Sequence, residues 1–233
     1  MSEPAHCPPD FSTEEQRGVY RAIHERRDVR SHFLPSPIPD AVLARVLNAA
    51  HHAPSVGFMQ PWDFIVIRDE SVRRAVQRNF EQANAAAAAA YADDRRALYD
   101  SLKLAAILEA PINLCITCDQ QRQRGSGLGR QSIPATAVYS TVCAVQNLWL
   151  AARAEGLGAG WVSILDLEQL RSTLGIPEHV IPVAYLCLGY VAQFGERPEL
   201  EERGWESREP IGNLIHFDRW GARDRQRAAA LGL

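Results

Sequence analysis

Arg26-Arg27-Asp28-Val29-Arg30 packs three guanidinium groups around one carboxylate within five residues. In an extended stretch residues 26, 28 and 30 share a face, and guanidinium forks match a phosphate bidentately, so the run suits a phosphorylated ligand. Taken alone it is also what a solvated charge cluster looks like. The second constellation, His51-His52-Ala53-Pro54-Ser55-Val56-Gly57-Phe58-Met59-Gln60-Pro61-Trp62, sets a hydroxyl, an amide and large apolar groups in a proline-bounded loop. A heteroaromatic ring with polar edges needs such a mixture. As an ordinary helix-to-strand turn, the same segment would have to find partners for Ser55 and Gln60.

The flanking elements must hold these groups in place. Residues 13–26 put Val19 and Ile23 on one helical face, with acidic residues in the first turn, and deliver the chain to RRDVR. Pro35, Pro37 and Pro39 forbid helix, and Asp40 can cap a buried helix that ends near Pro54. WDFIVIRD, INLCITCD, AGWVSI and PVAYLCLGYV are rich in β-branched and aromatic residues and read as strands. Residues 71–110 are helical with alanine at 85–90, which favours helix but offers little side-chain area for anchoring; such a region could serve as a lid. QQRQRGSGLGR is a polar, glycine-rich loop expected to touch ligand or solvent. AVYSTVCAVQNLWLAARAEG is apolar around most of its circumference, which describes a buried helix with room for a dimer contact. LEQLRSTLGI is a further helix, stopped by Gly175 and Pro177. The order α, α, β, α, β, α, β, α, β predicts an α+β, three-layer arrangement with helices flanking a mixed central sheet.

At 233 residues and 46% hydrophobic content the chain can bury one sizeable core, so a single domain over 1–233 is expected. A balance of 25 basic and 28 acidic residues favours neither nucleic acid nor a membrane surface as partner. Five cysteines without framework spacing, an N-terminal MSEPAHCPPDF without leader character and the absence of a long apolar run point to a reducing cytoplasm. Cys115 and Cys118 sit inside an apolar strand and read as core. His51 and His52 point about 100° apart on a helix and cannot share one metal ion, so no metal site is expected. GLGAG at 156–160 follows a helix and enters a strand, the reverse of a dinucleotide fingerprint, and reads as a tight turn.

RRxxR after the first helix, APSxxxxQPW before the first strand and a glycine-rich approach to GWVS together resemble the nitroreductase-like flavoproteins. Within them, RRDVR, AAHHAPSVGFMQPWDFIV, YSTVCAVQNLWLAARAEGLGAGWVSI and PVAYLCLGYV resemble the flavin-consuming 5,6-dimethylbenzimidazole synthases. The resemblance spans most of residues 14–221. It implies a homodimer that binds reduced flavin mononucleotide (FMN) at the subunit interface, with the C-terminal tail, about 195–233, wrapping the partner. It further implies that FMN, supplied by a separate flavin reductase, is fragmented with molecular oxygen to 5,6-dimethylbenzimidazole, the lower ligand of vitamin B12, and erythrose 4-phosphate.

By the same resemblance Asp28 is the acid/base group near the ribityl chain and Ser163 the second catalytic side chain. Breaking a carbon-carbon bond in ribityl requires proton removal, and a carboxylate beside arginines stays ionised as a base. A serine hydroxyl can donate to a ring atom that gains charge. Arg26, Arg27 and Arg30 cover phosphate and ring edge, Val29 and Ile164 border the flavin, Ser55 and Gln60 contact it from the loop, and Arg208 is a further phosphate ligand. QQRQRGSGLGR is more basic than the GGP-containing loop of the family. The alternative function is an NAD(P)H-dependent FMN nitroreductase or quinone reductase. A non-catalytic flavin-sequestering protein is a third reading.

Overall fold

The computed structural model describes residues 10–232; Cys7 and most of the N-terminal segment read above for leader character lie outside them. The chain divides into two compact units, one running to Glu196 and one from Arg197.

The first unit carries α1 (Thr13–Glu25), α2 (Asp40–His51), β1 (Trp62–Ile67), α3 (Glu70–Ala88), α4 (Asp93–Asp100), β2 (Ile112–Asp119), α5 (Thr136–Ala154), β3 (Leu157–Val162), α6 (Leu167–Leu174) and β4 (Val180–Tyr190). The strands form one sheet in the order β1-β2-β4-β3, and every neighbouring pair is antiparallel. The sheet expected to be mixed is therefore antiparallel in all four strands. Among the described residues its parallel component is one isolated bridge, Asp28 to Ala159 on the outer edge of β3.

Strand alternation sorts the core into two faces. On one, Leu114, Ile116, Leu186 and Leu188 pack against Val46 and Ala50 of α2 and Ala144, Leu148 and Trp149 of α5. On the other, Cys115, Tyr185 and Cys187 meet Val76 and Phe80 of α3 and Leu170 of α6. Helices thus flank the sheet on both sides, as expected. Each fully buried large apolar side chain contributes about 1.5–3 kcal/mol, and β2, buried at every position but its last, is the centre of that core.

Two local expectations change. GLGAG is not a turn as a whole: Gly156 turns, with φ 76°, and Leu157–Val162 is already strand β3. The helical stretch at 71–110 is two helices followed by irregular chain, and the alanine run straddles the end of α3. Its anchors are aromatic and polar. Tyr99 donates to Asn84 at 2.6 Å and stacks on Tyr91 at 4.9 Å, while buried Asn79 exchanges two 2.8 Å hydrogen bonds with the backbone of Asp166. Helix α1 has the predicted amphipathic pattern, yet Val19, Tyr20 and Ile23 remain exposed.

The second unit holds α7 (Glu199–Glu202) and α8 (Arg225–Ala230), the latter capped by Asp224.

Candidate active site

Helix α1 starts with a capping box between Ser12 and Glu15 and ends at Arg26, whose backbone turns extended. From there the chain runs along β3. The Val29 N–H donates to the Ala159 carbonyl at 3.0 Å, and Asp28 bridges the same residue. This approach depends on Gly160, because a Cβ there would stand 2.1 Å from the Val29 carbonyl oxygen.

Both carboxylate oxygens of Asp28 are engaged. Oδ1 accepts from the Trp161 N–H at 3.0 Å, and Oδ2 accepts from the Arg30 guanidinium, whose side chain is mostly buried. The expected common face of 26, 28 and 30 is realised in the Asp28–Arg30 pair, while Arg26 lies over the ring of Trp149 at 5.3 Å. The Nε groups of Arg26 and Arg30 are buried without a hydrogen-bond partner. Two guanidinium donors left unsatisfied beside an aspartate are what an anionic, oxygen-rich ligand would complete, so the residues fit a flavin phosphate or ring edge.

Arg27 and Val29 face the other way. Val29 is buried. Arg27 spends its guanidinium on backbone carbonyls, those of His24 at 2.7 Å, Arg26 at 2.9 Å, Gly195 at 3.0 Å and Glu196. In this chain it ties the end of α1 to the segment that follows β4.

Ser163 comes one residue after β3, exposed, and lines a pocket of about 250 Å³ with Trp161, Leu165, Leu170, Pro182 and Tyr185. Trp161, whose N–H holds Asp28, thus lines the same pocket as Ser163, two residues further along the chain. Ile164 packs partly into the core below.

Ser55 and Gln60 gather elsewhere, on the loop before β1. The Gln60 N–H donates to Ser55 Oγ at 3.2 Å, and the Val56 N–H to Ser140 Oγ of α5 at 3.2 Å. Gly57, Phe58 and Gln60 all adopt left-handed backbone, φ 58°, 52° and 45°, a local cost typical of ligand-binding loops. The glycine-rich loop supplies the support. A Cβ on Gly125 would lie 2.0 Å from the Gly57 carbonyl oxygen, and Arg122 donates to the carbonyls of Gln60 and Trp62, both at 3.0 Å, and to the Asp63 carboxylate. The basic character that departs from the family pattern is partly used inside the protein. Arg208 belongs to the second unit, exposed at a shallow pocket with Pro198, Leu200 and Leu214.

Trp149, Arg122 and Ser140 escaped the sequence reading, since an apolar helix and a basic loop give no signal for which donor meets which carbonyl. His51 and His52 stay exposed, the former accepting from the Trp62 indole at 3.2 Å. Among the described residues no group of acidic, histidine or cysteine side chains could hold a metal ion, and no helix is long and apolar enough to cross a membrane. Cys115 and Cys118 are buried free thiols in separate core clusters; burial pushes Cys115 up to about 12, the behaviour of packing residues.

The Nitroreductase family pattern matches residues 23–190, from the end of α1 to the end of β4. The chain belongs to the nitroreductase family. Among relatives of this nitroreductase-family chain, 5,6-dimethylbenzimidazole synthase from Rhodospirillum rubrum is 43% identical over 202 residues, 87% of this chain and 95% of that protein. The enzyme of the same name from Rhodobacter capsulatus is 39% identical over 86% of this chain and 97% of that one. The fold is shared with iodotyrosine deiodinase, solved with FMN and 3-iodo-L-tyrosine: TM-score 0.69 at 20% identity, over 87% of this chain and all of the other.

Proposed function

We propose that this protein is 5,6-dimethylbenzimidazole synthase, an oxygen-dependent enzyme that fragments reduced FMN and releases erythrose 4-phosphate. One observation carries the reading: Asp28 is held by Arg30 and by the N–H of Trp161, and Trp161 lines one pocket with Ser163. The names of relatives that match nearly end to end support it. Bound FMN supplies the ring and ribityl carbons that are taken apart, with oxygen as oxidant.

The chain's own residues have separable tasks. Arg26 and Arg30 offer unsatisfied donors to the anionic ligand. Asp28 takes up a proton from the ribityl side, and Ser163, free at the pocket mouth, donates to a ring atom that gains charge. Ser55 and Gln60 contact the flavin from their loop, Val29 and Ile164 shape the floor from the buried side, and Arg27 acts as a latch. Arg208 is a further phosphate ligand.

The working form is a homodimer in a reducing cytoplasm, with the tail from 195 to 233 wrapping the partner and a separate reductase supplying reduced FMN. The exposed apolar residues of α1 and of α5, Tyr139 and Val142, favour such an assembly.

Purified protein given reduced FMN and air should yield 5,6-dimethylbenzimidazole by mass spectrometry. Reoxidised FMN with no product would overturn the proposal. Fast NADH oxidation coupled to a nitroaromatic acceptor would replace it with the nitroreductase reading.

A further inference from the structure

The contacts around Asp28 lead to a residue outside the charged run. Trp149, on the buried face of α5, is 7% exposed and donates its indole N–H to the carbonyl of Arg27 at 3.1 Å. That carbonyl shares a rigid peptide plane with the N–H of Asp28, so fixing it fixes the plane from which the aspartate side chain departs. The same ring lies beneath the Arg26 guanidinium at 5.3 Å and stands 6.2 Å from the ring of Trp161. Trp161 provides the N–H on Asp28 Oδ1.

One indole therefore touches both sides of the carboxylate's mooring. Leucine or phenylalanine would bury as well on an apolar helix face. Tryptophan adds a donor aimed at a carbonyl just beyond the helix end, where regular partners are lacking, and an aromatic face for a cation.

We propose that Trp149 is a positioning residue: it holds the Arg27 carbonyl and the Arg26 guanidinium so that Asp28 and the phosphate-binding arginine keep their working placement. The inference rests on the reading of Asp28 as the acid/base group. It divides the work of one side chain in two, the N–H serving turnover through Asp28 and the ring serving ligand affinity through Arg26.

Trp149→Phe and Trp149→Leu separate these tasks, each compared with wild type in the full-length protein. Amide hydrogen exchange reads the placement without reference to activity. In Trp149→Phe the Val29 and Trp161 amides should exchange at least about tenfold faster, with the β2–β4 ladder unchanged. With reduced FMN and air, the same variant should lose about tenfold in kcat while KM stays nearly constant. Trp149→Leu should lose turnover similarly and also raise KM, because Arg26 loses its aromatic support.

Unchanged Val29 and Trp161 exchange in Trp149→Phe overturns the inference, as does exchange that rises across the whole sheet, which would mark Trp149 as core packing. Altered exchange with wild-type kcat and KM overturns it too. If wild-type protein makes no 5,6-dimethylbenzimidazole, the proposed function fails, and with it the catalytic half of the inference; the exchange data still decide whether Trp149 moors Asp28.

Discussion

Both oxygens of the Asp28 carboxylate have donors, one a guanidinium and one a backbone amide. An aspartate that only neutralised the largely buried Arg30 would take ligand binding down with it when replaced by asparagine, because one partner of a buried pair would be left uncompensated. One that moves a proton would not. Asp28→Asn should bind FMN within a few-fold of wild type by fluorescence titration, while product formation falls by about 10²–10⁴; parallel loss of binding would mark the carboxylate as structural. The neighbouring constraint is steric. Gly160→Ala brings a methyl group 2.1 Å from the Val29 oxygen, and displacing that segment should cost about 1–3 kcal/mol in denaturant unfolding and disturb FMN binding with it. RRDVR and Gly160 are legible as residue types in the sequence, but the pairing that makes the glycine necessary is not, because 130 positions separate them.

At the scale of elements, β2 and β4 carry thiols in the centre of the sheet. Burial pushes Cys115 and Cys187 up to about 12 from 9.0. A folded-state value above the unfolded one means that the stabilising difference is fully present below pH 9 and is lost as pH rises towards 12, since unfolded thiols ionise first. Denaturant midpoints should therefore fall steeply between pH 9 and 11, and Cys115→Ala should flatten that dependence. A midpoint independent of pH would contradict the buried placement. The loop before β1 behaves as an element of its own, clamped by Arg122. Arg122→Ala removes bonds to two carbonyls and to Asp63, so it should cost on the order of 2 kcal/mol and weaken FMN binding from a position with no proposed flavin contact. Sequence gave this loop its ends, prolines 54 and 61, and its polar residues; the left-handed turns at Phe58 and Gln60 could not be read, because neither residue prefers them.

For the whole molecule, apolar residues left outside the core predict assembly. Val19, Tyr20 and Ile23 on α1 and Val142 on α5 are 40–60% exposed, and sedimentation should find a species of twice the 25.9 kDa chain mass. Val142→Glu should shift it towards monomer and lower activity together; a fully active monomer would remove the dimer from the proposal. Periodicity and composition determined α1, α2, α5, α6, the four strands and the layered α+β plan, because the hydrophobic pattern repeats within each segment, and the motif types determined the family; the break between α3 and α4 and the short helices α7 and α8 were not read from it. Only the tertiary structure decided the all-antiparallel pairing, the use of Arg27 and Arg122 as ties to carbonyls, and the place of Trp149 against Asp28. These depend on which distant backbone groups come within hydrogen-bond reach, and reach is set by the packing of several elements at once, a quantity no single segment encodes.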